Sequence, residues 1–319
     1  MGEPLVTIIC LCYNHAVFIR EAVESVIHQS YKNTQIILID DASKDESVQE
    51  IDKLKNQYPF LETVLLPVNV GNCKAFNAAF KLAKGEYIID FATDDVMMPD
   101  RIEKQVHFFE HLDHSYGVVF TDAVYMDVNG FVFRNHFEYL FSKGLLTSIP
   151  QGDVYQAVLR QYFIASPTMM IRRNVLDELG GYDENLSYED FDFWVRSSRN
   201  YKYALLNEKL TKIRRKHKSL SSGWYKPGDQ QLHSTYVVCK KAQEINRSEG
   251  DTLALAKRAR YELRQSFFSE NHVEAKLFFQ LLNDLQQLRG LDLAIVNLSK
   301  LHLPMSSFRM WYHQLRYSD

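Results

Sequence analysis

Gly85-Glu86-Tyr87-Ile88-Ile89-Asp90-Phe91-Ala92-Thr93-Asp94-Asp95 joins a short apolar strand to a loop bearing two adjacent carboxylates. The residues that follow, Val96-Met97-Met98-Pro99-Asp100-Arg101, read as a turn into a helix. In an open α/β sheet, ligands bind outside the carboxyl ends of the strands. Mg²⁺ and Mn²⁺ take carboxylate oxygens and substrate phosphates as ligands. Asp94 and Asp95 are therefore candidates to hold a metal ion that in turn holds a diphosphate. A solvated turn with two acids and a helix cap is the alternative for this stretch taken alone.

The residues upstream repeat the same grammar. Leu5 to Cys12 is a near-continuous apolar run of strand length, broken by Tyr13-Asn14-His15, and Phe18 to Gln29 has helical spacing. Gln35 to Ile39 is a second buried strand ending in Asp40-Asp41-Ala42-Ser43, and a helix is expected over 47–57. A third strand over 63–66, the turn Asn69-Val70-Gly71-Asn72 and a helix over 75–83 precede the opening stretch. Four strand–helix alternations predict an α/β fold with a mostly parallel sheet and helices on both faces. Tyr13-Asn14, Asp40-Asp41 and Asp94-Asp95 should then line one edge, as in a nucleotide pocket. No G-x-G-x-x-G follows the first strand and no G-x-x-x-x-G-K-[ST] occurs, so phosphate charge falls to a metal and to Arg or Lys. Asp41 is placed to accept from a base N–H or a ribose hydroxyl; an Asx turn with Ser43 is its structural alternative.

The bulk properties restrict the class. At 319 residues the chain exceeds what one core usually supports. A net charge of -3 gives no electrostatic case for nucleic acid. The four cysteines have neither disulfide-framework nor zinc spacing and are expected as reduced, cytoplasmic thiols. No apolar run reaches the length of a membrane span, and the first run reads as a strand rather than a signal peptide.

Downstream, a strand over 117–122 precedes a hairpin at 124–132, with Asn129-Gly130 as its turn. Residues 133–145 are aromatic and aperiodic and take no assignment from the sequence; a mobile loop over the pocket is one reading of them. Helices are expected at 153–162 and 174–179, the second closed by Gly180-Gly181. Ser187-Tyr188-Glu189-Asp190 resembles a helix cap. Its functional reading puts Asp190 on the first turn of a helix as a general base. Two short strands, 203–206 and 211–214, lead to Arg214-Arg215-Lys216-His217-Lys218. That run is either a solvated cluster or a source of cations for a diphosphate and a histidine for a metal.

In this order and spacing, residues 4–221 resemble a family 2 glycosyltransferase of the GT-A fold. The matching elements are Val6-Thr7-Ile8-Ile9 with Tyr13-Asn14, Ser25 to Ser30, Ile39-Asp40-Asp41-Ala42-Ser43, Asn69-Val70-Gly71 and Lys84-Gly85-Glu86-Tyr87. They continue with Ala92-Thr93-Asp94-Asp95 and Pro99, Gly180-Gly181-Tyr182-Asp183, Glu189-Asp190 and Arg215-Lys216-His217. The Ala-Thr-Asp-Asp-x-x-x-Pro-Asp-Arg form is similar to the bacterial spore-coat polysaccharide transferase type. The resemblance implies inverting transfer from a nucleotide-diphosphate sugar, with a UDP-sugar expected, to a hydroxyl of a glycan or lipid-linked acceptor. It implies Asp95 and His217 as ligands of Mn²⁺ or Mg²⁺, Asp94 at the ribose or the metal, and Arg215 at the diphosphate. It further implies Asp41 at the base, Tyr13, Asn14, Asn69 and Lys74 in the nucleotide-binding set, and Asp190 as catalytic base. The chain departs from the family at Ala92, where Asp-x-Asp is common, at Ala42 in place of glycine, and at Ile213 in place of an aromatic.

The expected organisation is a GT-A domain over 1–222 and a C-terminal helical domain over 223–319. Within the second, helices are expected over 231–245, 253–268, 273–288 and 291–301. The tail from Phe308 to Tyr317 is aromatic and basic. A peripheral contact with the inner face of the membrane would suit that composition; packing of the bundle, or of a homo-oligomer through these helices, is the alternative. A sugar-1-phosphate nucleotidyltransferase would use a related sheet, but Cys12-Tyr13-Asn14-His15 lacks its glycine- and arginine-rich loop. A non-catalytic carbohydrate-binding scaffold would not need Asp95, Asp190 and His217 together.

Overall fold

A computed structural model of the chain describes residues 2–215, 225–302 and 304–305. Its elements, in order, are β1 (Val6–Cys12), α1 (Ile19–Ile27), β2 (Thr34–Asp40), α2 (Ser47–Gln57), β3 (Glu62–Leu65), α3 (Asn72–Phe80) and β4 (Tyr87–Ala92). Then come β5 (Val96–Met97), α4 (Arg101–Glu110), β6 (Tyr116–Met126), β7 (Val132–Asn135), α5 (His136–Ser142), α6 (Tyr155–Arg160), β8 (Met170–Arg172) and α7 (Arg173–Leu179). The remainder are α8 (Asp190–Ser197), β9 (Lys202–Arg214), α9 (Gln230–Ile245), α10 (Glu249–Phe268), α11 (His272–Asp284) and α12 (Gly290–Ser299).

The strands form one sheet in the order β3-β2-β1-β4-β8-β6-β9-β5, with β7 paired to β6. β1 runs parallel to β2 and β4, and β2 parallel to β3, as the helical crossovers require. Beyond β4 the sheet is mixed. The three-residue β8 is antiparallel to both β4 and β6, whereas β6 and β9 are parallel. β1 is buried along most of its length because helices cover the sheet, which explains its unbroken apolar run. α1 buries Ile19, Ala22, Val23 and Val26, one stripe at helical spacing. Gly85 is fixed by close approach. A Cβ there would lie 2.7 Å from both Thr7 Oγ1 and the Tyr87 carbonyl oxygen.

Two local readings change. Residues 133–145, unassigned from the sequence, supply the end of β7 and then α5. Helix α5 is seven residues long and buries His136, Phe137 and Leu140. Two turns are too few to display a period. Residues 203–206 and 211–214 belong to one strand, β9. Its pairing with β6 shifts register around Asp122, so the polar Asn207 and Glu208 sit at an irregularity instead of ending the strand. The expected hairpin turn is present at Asn129-Gly130, with Gly130 at φ +87°.

The chain separates into two compact units. One contains the sheet and comprises residues up to Val154, Phe163–Asn185 and 192–215. The other is helical and comprises Tyr155–Tyr162, Leu186–Phe191 and the described residues from 225 onward. Helices α9 to α12 match the four expected C-terminal helices closely. α9 and α10 are capped by Asp229 and Ser248, whose side chains accept from Gln231 N and Asp251 N. All four cysteines are free and buried. Among the described residues no helix is long and apolar enough to cross a membrane. The tail 308–317 lies outside the described residues.

Candidate functional site

Strands β1, β2 and β4 end side by side. Cys12 pairs with Asp40, and Leu11 with Ala92. The Asp41 N–H donates to the Cys12 carbonyl at 2.9 Å, and the Thr93 N–H to the Leu11 carbonyl at 3.0 Å. The loops at 13–14, 40–43 and 93–95 therefore leave the sheet together.

The first two loops are tied to each other. Asn14 stands at φ +56°; its N–H donates to Ser43 Oγ at 2.8 Å, and its Oδ1 accepts from the Lys44 N–H at 2.7 Å. It is the Asp40 carboxylate, not that of Asp41, that accepts the Ser43 N–H, at 2.8 Å, so the Asx turn expected between Asp41 and Ser43 is not formed. Ala42 is forced to φ +55°, the left-handed region that glycine would occupy with less strain. Asp41 is buried and binds the third loop of this half: Oδ1 accepts the Val70 N–H at 2.7 Å and Oδ2 the Gly71 N–H at 2.9 Å. The Asn69 side chain donates to the Asp41 carbonyl at 3.1 Å. A carboxylate has about four lone-pair sites, so two backbone bonds leave acceptor capacity on Asp41. Tyr13 and Lys74 are exposed.

At the carboxylate loop, Asp95 is only 3% exposed, and its Oδ1 accepts the Arg214 N–H at 2.8 Å. Burial pushes its carboxyl well above the usual carboxylate range; the Asp94 charge adds to the rise, while the Arg214 N–H and nearby guanidinium groups oppose it. Asp94 Oδ2 lies 3.6 Å from His15 Nε2. His15 Nδ1 is 2.9 Å from Thr93 Oγ1, whose hydroxyl donates to the Leu11 carbonyl at 3.0 Å. The Thr93 proton is thus committed, which assigns the ring hydrogen to Nδ1 in neutral His15. Nε2 would then pair with Asp94 when protonated.

Sequence reasoning placed Arg214 only in a basic run, missing its role at the carboxylate loop, and missed His15. Arg214 is buried, and its Nε donates to the Asp94 carbonyl at 2.9 Å. Its Nη1 reaches the Asp127 and Val128 carbonyls at 3.2 and 3.3 Å, and Nη2 meets Glu21 at 2.6 Å. The guanidinium also lies over Phe18, 4.5 Å from the ring centroid. Arg214 therefore ties the carboxylate loop to α1 and to the β6–β7 turn. Its partners are up to 193 positions away in sequence, so no local signal marks this tethering role. Its neighbour Arg215, half-buried, places its guanidinium 4.4 Å over the Tyr125 ring, and its N–H donates to the Met126 carbonyl at 2.8 Å.

Asp190 begins α8 and belongs to the helical unit. The Ser187 hydroxyl, expected as a cap, instead meets Ser234 Oγ at 2.9 Å. His217 lies outside the described residues. Among the described residues no group of three or more His, Cys, Asp or Glu side chains is arranged to hold a metal. The donor set of Asp94 and Asp95 still fits Mg²⁺ or Mn²⁺, which use one or two carboxylates and complete their shell with water and substrate phosphates.

A sheet of this order, with carboxylates at the end of β4 and a C-terminal set of helices, is the GT-A architecture of glycosyltransferases. The chain belongs to glycosyl transferase family 2, whose model matches residues 7–180. It is 31% identical over 213 residues to an uncharacterised glycosyltransferase of Rickettsia prowazekii, covering 66% of this chain and 64% of that one. A second uncharacterised glycosyltransferase, from Methanocaldococcus jannaschii, is 27% identical over 223 residues, covering 67% of this chain and 72% of that one. The chain thus spans just under two thirds of the length of the Rickettsia relative. S. aureus TarS 1–349 in complex with UDP-GlcNAc superposes with a TM-score of 0.67 at 18% identity, covering 98% of this chain and 92% of that one. The mannosyltransferase PcManGT of Pyrobaculum calidifontis, in complex with GDP-Man and Mn²⁺, gives a TM-score of 0.56 at 16% identity, covering 98% and 88%.

Proposed function

We propose that this family 2 glycosyltransferase is a metal-dependent, inverting enzyme. In this reading it transfers a sugar from a nucleotide-diphosphate sugar, with a UDP-sugar as first choice, to a hydroxyl of a glycan or lipid-linked acceptor. The observation that carries it is the buried Asp95 carboxylate beside Asp94 on the same sheet edge as Asp41. The UDP-GlcNAc bound by TarS and the GDP-Man and Mn²⁺ bound by PcManGT support a nucleotide-sugar donor and a divalent cation.

Asp95 and Asp94, with His217, would hold the Mn²⁺ or Mg²⁺. The metal would supply Lewis-acid neutralisation of the charge that develops on the departing diphosphate. Asp41, Tyr13, Asn14 and Asn69 would hold the nucleoside, and Lys74 and Arg215 the diphosphate. Asp190 would take the proton from the acceptor hydroxyl as its oxygen attacks the anomeric carbon opposite the leaving group. That geometry inverts the carbon. A base so placed contributes about 10²–10⁴-fold in rate.

The test is nucleotide release from a panel of UDP- and GDP-sugars, with Mn²⁺ or with EDTA, in the presence and absence of a mixed glycan acceptor. Mn²⁺-dependent release of nucleoside diphosphate from at least one donor is expected. Pyrophosphate formation, or no release from any donor, would overturn the reading.

A further inference from the structure

The six residues that carry Asp190 to the start of α8, Leu186–Phe191, belong to the helical unit. Their anchors are specific. The Ser187 N–H donates to Ser234 Oγ on α9 at 3.0 Å. Tyr188 Oη lies 2.7 Å from Thr235 Oγ1, and Thr235 spends its own hydroxyl proton on the Gln231 carbonyl at 2.9 Å. The Tyr188 hydroxyl must therefore donate to Thr235, which leaves its oxygen as the acceptor for Tyr162 Oη at 3.4 Å. On the other side of Asp190, the fully buried Phe191 ring lies 5.1 Å from Tyr162. Arg258 of α10 closes the cluster, 4.1 Å over Tyr162 and 5.3 Å from Phe191. It is buried, bonded to Glu262 Oε1 at 3.1 Å and to the Leu159 carbonyl at 3.0 Å.

Side chains at 187, 188 and 191 thus bracket position 190 on both sides, and their partners Ser234, Thr235, Tyr162 and Arg258 belong to the helical unit. The family model ends at residue 180, before the Asp190 segment and before α9 and α10. We infer that helices α9 and α10 are the platform for the catalytic base, and that the Tyr188–Thr235 hydroxyl pair is a positioning contact for Asp190. This inference rests on the reading of Asp190 as base. It assigns the C-terminal helices a part in the chemistry, acting through Asp190 without touching substrate. A base must be held within a fraction of an ångström of its proton, by side chains that are themselves locked.

The experiment uses the full chain, Mn²⁺ and whichever panel donor the wild type hydrolyses fastest, with water as acceptor. Tyr188→Phe and Thr235→Val each delete one hydroxyl and keep the side-chain volume nearly constant. Each should lower kcat about tenfold with donor KM unchanged. The loss in the double variant should be smaller than the two single losses combined, because the Tyr188–Thr235 contact is already gone in either single one. Amide exchange over 186–191 should quicken in all three. Asp292→Asn is the stability control: it weakens the buried Asp292–Arg260 pair (3.1 Å) between α12 and α10, and should lower Tm without changing kcat. A kcat within about twofold of wild type in the hydroxyl variants would overturn the inference, as would an equal loss of kcat in Asp292→Asn. Asp190→Asn, assayed alongside, separates the two readings. If it turns over normally, the base assignment is wrong. If it is inactive while the hydroxyl variants match wild type, only the platform fails.

Discussion

Replacing Arg214 by Met tests whether one guanidinium organises the carboxylate loop. The substitution keeps much of the apolar stem and strands four acceptors: the carbonyls of Asp94, Asp127 and Val128, and the Glu21 carboxylate. These are not equal. The Glu21 side chain is 58% exposed, so water replaces the lost partner and the ion pair itself is worth about 0–1 kcal/mol. Val128 is exposed and Asp127 half-buried at the β6–β7 turn, so their carbonyls rehydrate in part. The Asp94 carbonyl is the costlier one, because it belongs to the carboxylate loop and an acceptor that loses its donor away from water costs about 1–3 kcal/mol. Loss of the contact over Phe18 adds about 0.5–1 kcal/mol. The total is roughly 2–4 kcal/mol, which in a sheet unit of this size lowers Tm by roughly 4–16 °C. Glu21→Gln should cost no more than about 1 kcal/mol. With the loop untethered, Mn²⁺-dependent UDP affinity should fall about tenfold in Arg214→Met. Differential scanning fluorimetry and calorimetric titration of UDP with Mn²⁺ measure both effects. A Tm within about 1 °C of wild type refutes the reasoning, as does a Glu21→Gln penalty equal to that of Arg214→Met.

Other expectations follow from single contacts. Asp95→Ala should abolish the Mn²⁺-dependent part of donor binding, whereas Asp190→Asn should stop turnover and leave donor affinity near wild type; titration beside a turnover assay reads both, and equal loss of binding in the two variants contradicts the division of roles. His136 is buried, with Nε2 donating to the Phe163 carbonyl at 2.8 Å and Nδ1 accepting from Tyr125 Oη at 2.8 Å. Burial lowers its pKa; Arg215 lowers it further and Asp122 opposes the shift. A depressed imidazole contributes stability above the unfolded value near 6.5 and loses it as pH falls toward the folded value. Urea midpoints should therefore drop below pH 6.5 in wild type and drop less in His136→Gln; identical pH profiles would remove His136 as the cause. Ala42→Gly relieves a left-handed φ worth about 1–2 kcal/mol against an unfolded-state entropy cost of about 0.4–1 kcal/mol, so a net gain near 0.5 kcal/mol should appear as a higher urea midpoint.

The parallel half of the sheet was legible because its signals are local. β1, β2 and β4 are continuous apolar runs, and each ends at a polar loop that water or a ligand must solvate. α2 was bounded at 47–57, as the structure has it, because its apolar stripe has a clear period. Asp40, Asn129-Gly130 and Gly180 acted as punctuation for the same reason: their side chain, or lack of one, fixes the nearby backbone. The family pattern added the candidate residues in order. Where elements are short or irregular the signal failed. α5 is too short to repeat, and β9 seemed to be two strands because the polar residues at its register shift look like a turn.

The sequence by itself determined the α/β class, the set of carboxylates at the strand ends and the helical character of the C-terminal residues. Each depends on residues within a few positions of one another. The tertiary structure decided which groups hold those carboxylates in place. Arg214 reaches the carbonyl of Asp94 across 120 positions and the carboxylate of Glu21 across 193. The segment bearing Asp190 packs with helices that begin forty residues later. Such partners are chosen by the register of β6 with β9 and by burial of aromatic side chains around Arg258. Both emerge only when the folded chain removes these polar groups from water and obliges them to find one another.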